Sequence, residues 1–141
     1  EALPKMIEAA SSSNLRQALE AHLEETRRHF EAVRAMLDEM DVNPGNKVCV
    51  GMEGLIKEGD ELVKKKGQID NDVLDAGLIT AAQKAEHYEI SEYGSLREFA
   101  SAIGKDNHAQ QLNQILDDEY EADRKLSALA EGGLNWEALA G

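Results

Sequence analysis

Apolar residues recur every three or four positions along most of the chain, and breaks rich in Ser, Asn, Asp, Pro and Gly divide them into five segments and a tail. Residues 1–10 carry Leu3, Met6, Ile7 and Ala10 at helical spacing, with Pro4 tolerated only near a helix start or a kink. Ser11-Ser12-Ser13-Asn14 then supplies a break and N-cap candidates. From about 14 to 40, Leu15, Leu19, Thr26, Phe30, Val33, Leu37 and Met40 form one stripe, which stops at Asp41-Val42-Asn43-Pro44-Gly45. A third helix is expected over about 46–66, weakened by Gly51, Gly54 and Gly59 and closed by Lys64-Lys65-Lys66-Gly67.

Asp70-Asn71-Asp72 opens the longest segment, about 72–103, in which Leu74, Leu78, Ala81, Ala82, Ala85, Leu96, Phe99 and Ile103 share a face and Gly104 ends the pattern. Asp106-Asn107 is expected to cap a last strong helix over about 107–130, striped by Leu112, Ile115, Leu116, Leu126, Leu129 and Ala130. The tail from Leu134 to Leu139 reads as a short apolar turn, with Trp136, that docks on the bundle or on a second subunit. No strand-like alternation, repeat or linker interrupts this order, so the chain reads as one all-α domain over 1–141.

Composition sharpens that picture. Hydrophobic content of 42% with 4% aromatics and 2 Pro suits a helical core of Leu, Ala, Ile, Val and Met rather than a β-sandwich. A net charge of -13, from 28 acidic and 15 basic side chains, repels phosphate backbones and makes nucleic acid and anionic membranes poor partners. No apolar run approaches the roughly 20 residues of a membrane span. The lone Cys49 cannot form an internal disulfide; it fits a reducing, cytoplasmic setting and is expected to be a small buried hydrophobe. Glu1 already stands inside a helical pattern, so the first helix is expected to begin upstream.

Charged residues on the apolar faces change the picture most. Glu89 falls near the centre of the 72–103 face and Glu86 at its edge; Glu119 and Asp123 sit on the 107–130 stripe; His22 and His29 border the 14–40 stripe with Glu25 between them. An ionised carboxylate in an apolar interior costs several kcal/mol unless it is paired or binds a cation. Acids and imidazoles at mid-length on three helices are how bundles hold paired iron or manganese ions. A buried network of these acids with His22, Arg or Tyr partners is the alternative. His29 is left open between ligand and partly buried spectator. Glu24, Glu31, Glu121, Asp117 and His87 read as surface residues, as does His108 in a first turn.

The strings Leu3-Pro4-Lys5-Met6, His22-Leu23-Glu24-Glu25-Thr26, Met52-Glu53-Gly54-Leu55-Ile56, Gln83-Lys84-Ala85-Glu86-His87-Tyr88-Glu89-Ile90 and Tyr93-Gly94 resemble the YciE/YciF-like family of the ferritin-like superfamily. The resemblance implies a bacterial stress-associated protein, a rubrerythrin-like four-helix bundle whose long crossover carries a short extra helix, a truncated first helix, and a homodimer. It also implies a metal set of His22 with Glu25, Glu86 with Glu89, and Glu119 with Asp123, holding two iron or manganese ions for redox or oxygen/peroxide chemistry. The superfamily's usual Glu-x-x-His order is reversed at His22 to Glu25 and replaced at Glu119 to Asp123, and its first-helix Glu would lie upstream of Glu1. The competing expectation is a non-enzymatic helical stress or structural dimer with a vestigial or structural metal site.

Overall fold

A computed structural model describes residues 2–140. Its helices are α1 (Ala2–Ala9), α2 (Ser13–Glu39), α3 (Val50–Val63), α4 (Asn71–Ala102), α5 (Asp106–Leu129) and α6 (Asn135–Ala140), with a kink at Gly133 (φ 144°) in the Ala130–Leu134 turn before α6. The described residues contain no strand, and none of these helices is long and apolar enough to cross a membrane.

The boundaries follow local chemistry. Ser12 caps α2 by accepting the Leu15 amide through its hydroxyl, and Asp70 caps α4 by accepting the Asp72 amide at 2.8 Å. At the end of α2, Asp41 takes φ 59° and the Val42 amide reaches back to the Leu37 carbonyl at 2.9 Å, a six-residue closure that stops the helix. Gly104, at φ 73°, does the same for α4, with the Lys105 amide on the Ala100 carbonyl at 2.8 Å. Asp106 stands in the first turn of α5 rather than capping it; Lys105 occupies the cap position without a side-chain hydrogen bond. Helix α3 begins only at Val50 and runs unbroken through its glycines. A Cβ at Gly51 would meet the Tyr88 ring at 2.8 Å, so a larger residue there would have to push that side chain aside.

Helices α4 and α5 pack most extensively, α2 lies on α5, α1 bridges α2 and α3, and α3 and α6 both lie on α4. The interior has two apolar clusters. One joins Met6, Leu15, Leu19, Leu74, Leu78, Ile79 and Leu126, and the other joins Met36, Ala100, Ala109, Leu112 and Ile115. Numbering climbs from the first cluster to the second along α2 and α4 and falls along α5. Helices α2 and α4 are therefore parallel, α5 is antiparallel to both, and residues 40–70 with α3 form the crossover between the parallel pair. A second tie comes from Asp75, fully enclosed on α4, whose carboxylate accepts the Ser11 amide (2.9 Å), the Ser11 hydroxyl (2.7 Å) and the Ser12 amide (2.7 Å) of the turn between α1 and α2.

Two stripes differ from their sequence phase. On α2 the inward positions are Leu15, Leu19, His22, Thr26, His29, Val33 and Met36, a strict four-three alternation, which turns Phe30 outward to 61% exposure. On α4 the inward face beyond Glu89 passes through Tyr93 and Ala100, leaving Leu96, Phe99 and Ile103 exposed. The tail docks on α4, but through Leu134; Trp136 remains 73% exposed.

Candidate metal centre

On each of three helices the polar inward residues stand between members of the two apolar clusters: His22 and His29 on α2, Glu86 and Glu89 on α4, Glu119 on α5. His22, Glu86, Glu89 and Glu119 each bring a ligand-type atom to within 4.8 Å of the others. Glu86 and Glu119 are each 1% exposed. His22 Nε2 contacts Glu86 Oε1 at 2.8 Å, and the Thr26 hydroxyl, which donates to the His22 carbonyl at 2.9 Å, packs one turn further along α2. His22 Nδ1, Glu86 Oε2 and Glu119 Oε2 are buried with no hydrogen-bond partner in the protein. Such orphaned atoms are costly, and a cation or shared protons would satisfy them.

The electrostatics say the same. Burial pushes the Glu86 carboxyl up to about 7, countered where Glu86 and Glu119 share a proton, and the charges of Glu89, Asp123 and Glu25 reinforce the rise. Burial, then the Glu119 charge, takes Glu89 to about 7. Burial also raises Glu119, opposed by its hydrogen bond from His29. Acids this close cannot all ionise in an apolar interior, so without a cation they hold protons between them.

Of the six residues expected at the site, four converge and two stand off. Glu25 is half-buried, 3.9 Å from His22 Nδ1 and 4.0 Å from Lys125 Nζ. Asp123 turns toward the outer side of the α4–α5 seam, accepting from Gln83 Nε2 at 3.0 Å and lying 3.4 Å from the exposed His87. His29 is buried with Nδ1 3.0 Å from Glu119 Oε1 and Nε2 3.0 Å from Asp118 Oδ2. Burial alone would lower its pKa, but the two carboxylates outweigh it and the imidazole titrates above its usual range. Asp118 was missed from sequence; the seven-residue step from His22 to His29, which keeps both on one face, is the signal that pointed toward its partner.

Two further expectations are corrected. His108 is buried, because the first turn of α5 tucks under the end of α2, where Nε2 meets Glu39 Oε2 at 2.8 Å. Cys49 is exposed at the start of α3, with Sγ 2.9 Å from the Tyr88 hydroxyl, since α3 begins one residue later and turns it outward.

A cavity of about 220 Å³ between α1, α3 and α4 reaches the site. Leu3, Met6, Met52, Leu55 and Ile56 make its apolar wall, and His22, Glu86 and Glu89 its polar one.

The profile of the family described as domain of unknown function DUF892 matches residues 1–139. Protein YciF of Escherichia coli (strain K12) is 41% identical over 138 residues, 97% of this chain and 82% of its own length. The crystal structure of the E. coli stress protein YciF aligns with a TM-score of 0.88, at 41% identity, over 95% of this chain and 84% of that one. YcfI from Rhodopseudomonas palustris, for which a structural role has been suggested, gives 0.80 at 39% identity over 89% and 79%.

Proposed function

Because the chain belongs to the DUF892 family and is YciF-like over most of its length, we propose that it is a cytoplasmic, stress-associated ferritin-like protein that binds iron or manganese at His22, Glu86, Glu89 and Glu119. The observation that carries this reading is the convergence of those four donors around buried oxygen and nitrogen atoms that no protein group satisfies. Three carboxylates and one imidazole suit hard-to-borderline cations. Bound iron or manganese supplies one-electron redox chemistry toward oxygen or peroxide.

The chain's own residues set the conditions. The apolar clusters on either side exclude bulk water, and the cavity beside His22, Glu86 and Glu89 admits a small oxidant. Glu25, beside Lys125, and Asp123, held by Gln83 and His87, stand at the rim of the centre, and a second ion would draw on those two carboxylates. Exposed Phe30, Phe99, Ile103 and Trp136 support self-association as a homodimer.

A second reading, a structural protein with a metal-free buried network, is favoured by the His22–Glu86 and His29–Glu119 pairs, which already offset part of the buried charge. Elemental analysis of purified protein, with melts in Mn(II) or chelator, separates the two. Metal near one or two equivalents per chain, with stabilisation of about 2.7 kcal/mol at a hundredfold excess over Kd that Glu119→Gln abolishes, supports the metal centre. Folded, metal-free protein whose melting ignores Mn(II) and Fe(II) overturns it.

A further inference from the structure

We propose that His29, braced by Asp118, is the positioning residue of the centre: it occupies one oxygen of Glu119 and leaves only the other to face an ion. The proposal rests on the reading that the cluster binds metal. Glutamate is long and loses rotamer freedom when fixed, so a ligand reaching from α5 benefits from an anchor. His29 Nδ1 provides it, hydrogen-bonded to Glu119 Oε1 at 3.0 Å, while Oε2 is buried without a partner. The opposite ring nitrogen donates to Asp118 Oδ2 at 3.0 Å. Both carboxylates come from neighbouring positions on α5, which project about 100° apart, so one imidazole from α2 brackets α5 and fixes its rotation. Gln114 Nε2 holds the far oxygen of Asp118 at 3.1 Å, and the Tyr93 ring meets the imidazole edge-on at 6.4 Å between centroids. With both nitrogens engaged and the ring outside the convergent four, His29 acts on the ion through Glu119.

The test is titration of Mn(II) into the metal-stripped full chain, with the Mn(II) electron paramagnetic resonance spectrum recorded at saturation. Loss of an outer-shell partner lowers metal affinity about 10–100-fold. His29→Gln is expected in that range with an altered spectrum, and Asp118→Asn about tenfold, at the low end of the range. Glu121→Gln, which removes one acid at an exposed pair with Arg124, is expected to leave both readouts unchanged and controls for net charge. Asp118→Asn affinity equal to that of Glu121→Gln overturns the proposal, whether or not His29→Gln folds. So does His29→Gln that binds Mn(II) as tightly as the parent with the same spectrum, a result that leaves the metal centre standing. Absence of Mn(II) binding by the parent overturns both.

Discussion

Replacing Glu86 with Gln should stabilise the metal-free protein, though it removes a residue of the proposed centre. Glu86 is enclosed, and its carboxyl rises from 4.5 to about 7 on folding. The sign follows from linkage: a raised folded value means that the native state keeps a proton that the unfolded chain releases. Below pH 4.5 both states hold the proton and Glu86 costs nothing. Between 4.5 and about 7 stability falls as pH rises, and above that the full penalty stands. At 1.36 kcal/mol per pH unit the penalty is about 3 kcal/mol. Gln mimics the protonated form, so it should recover most of this at pH 8 and nothing at pH 4. With unfolding entropy near 2 cal/mol/K per residue, a chain of 141 residues should gain roughly 10 °C in melting temperature. The assay is thermal denaturation in chelator from pH 4 to 8, read as the difference between parent and Glu86→Gln, which cancels the general repulsion of a chain at -13. Excess Mn(II) should reverse the order. Equal melting at pH 8, or a gap that widens toward pH 4, would refute the argument.

Two other outcomes are expected. Asp75→Ala should cost about 3 kcal/mol in urea unfolding, since three donors of the α1–α2 turn lose a charged acceptor, with Asp75→Asn recovering part; a loss under about 1 kcal/mol would show that water replaces the carboxylate. Light scattering at micromolar concentration should give twice the chain mass of 15.5 kDa, and a strictly monomeric mass removes the homodimer.

Helix order was legible because its signals are local: the capping oxygens of Ser12 and Asp70 and the left-handed Gly104 depend on neighbours within a few residues. The inward acids were legible too, as Glu89 and Glu119 have no solvated position on faces so apolar. Phase was harder. Phe30 drew the α2 stripe toward itself, although the true seam runs one residue back through His29, and hydropathy cannot distinguish an imidazole that has a carboxylate on each side from an exposed one. His108 and Asp75 eluded sequence reasoning for a related reason: each meets a partner 63 to 69 residues away, a pairing that no periodicity encodes. Asp123 lies on the expected stripe, but Gln83 offers it a nearer partner than the acids do.

The belt of acids and histidines that parts the two apolar clusters also bears on how the molecule breathes. Cooperative opening units tend to follow contiguous apolar contact, and here that contact is interrupted at mid-length on α2, α4 and α5. The half around Leu15, Leu78 and Leu126 carries the Asp75 tie and the flanking α1 and α6, so its amides should exchange with solvent slowest. The half around Met36, Ala100 and Leu112 has three helices and a smaller cluster, and should exchange by separate, lower-energy openings. A cation gripping His22, Glu86, Glu89 and Glu119 would lie across that division and couple the two halves, making slow exchange in the second a reporter of occupancy at a distance from the ion.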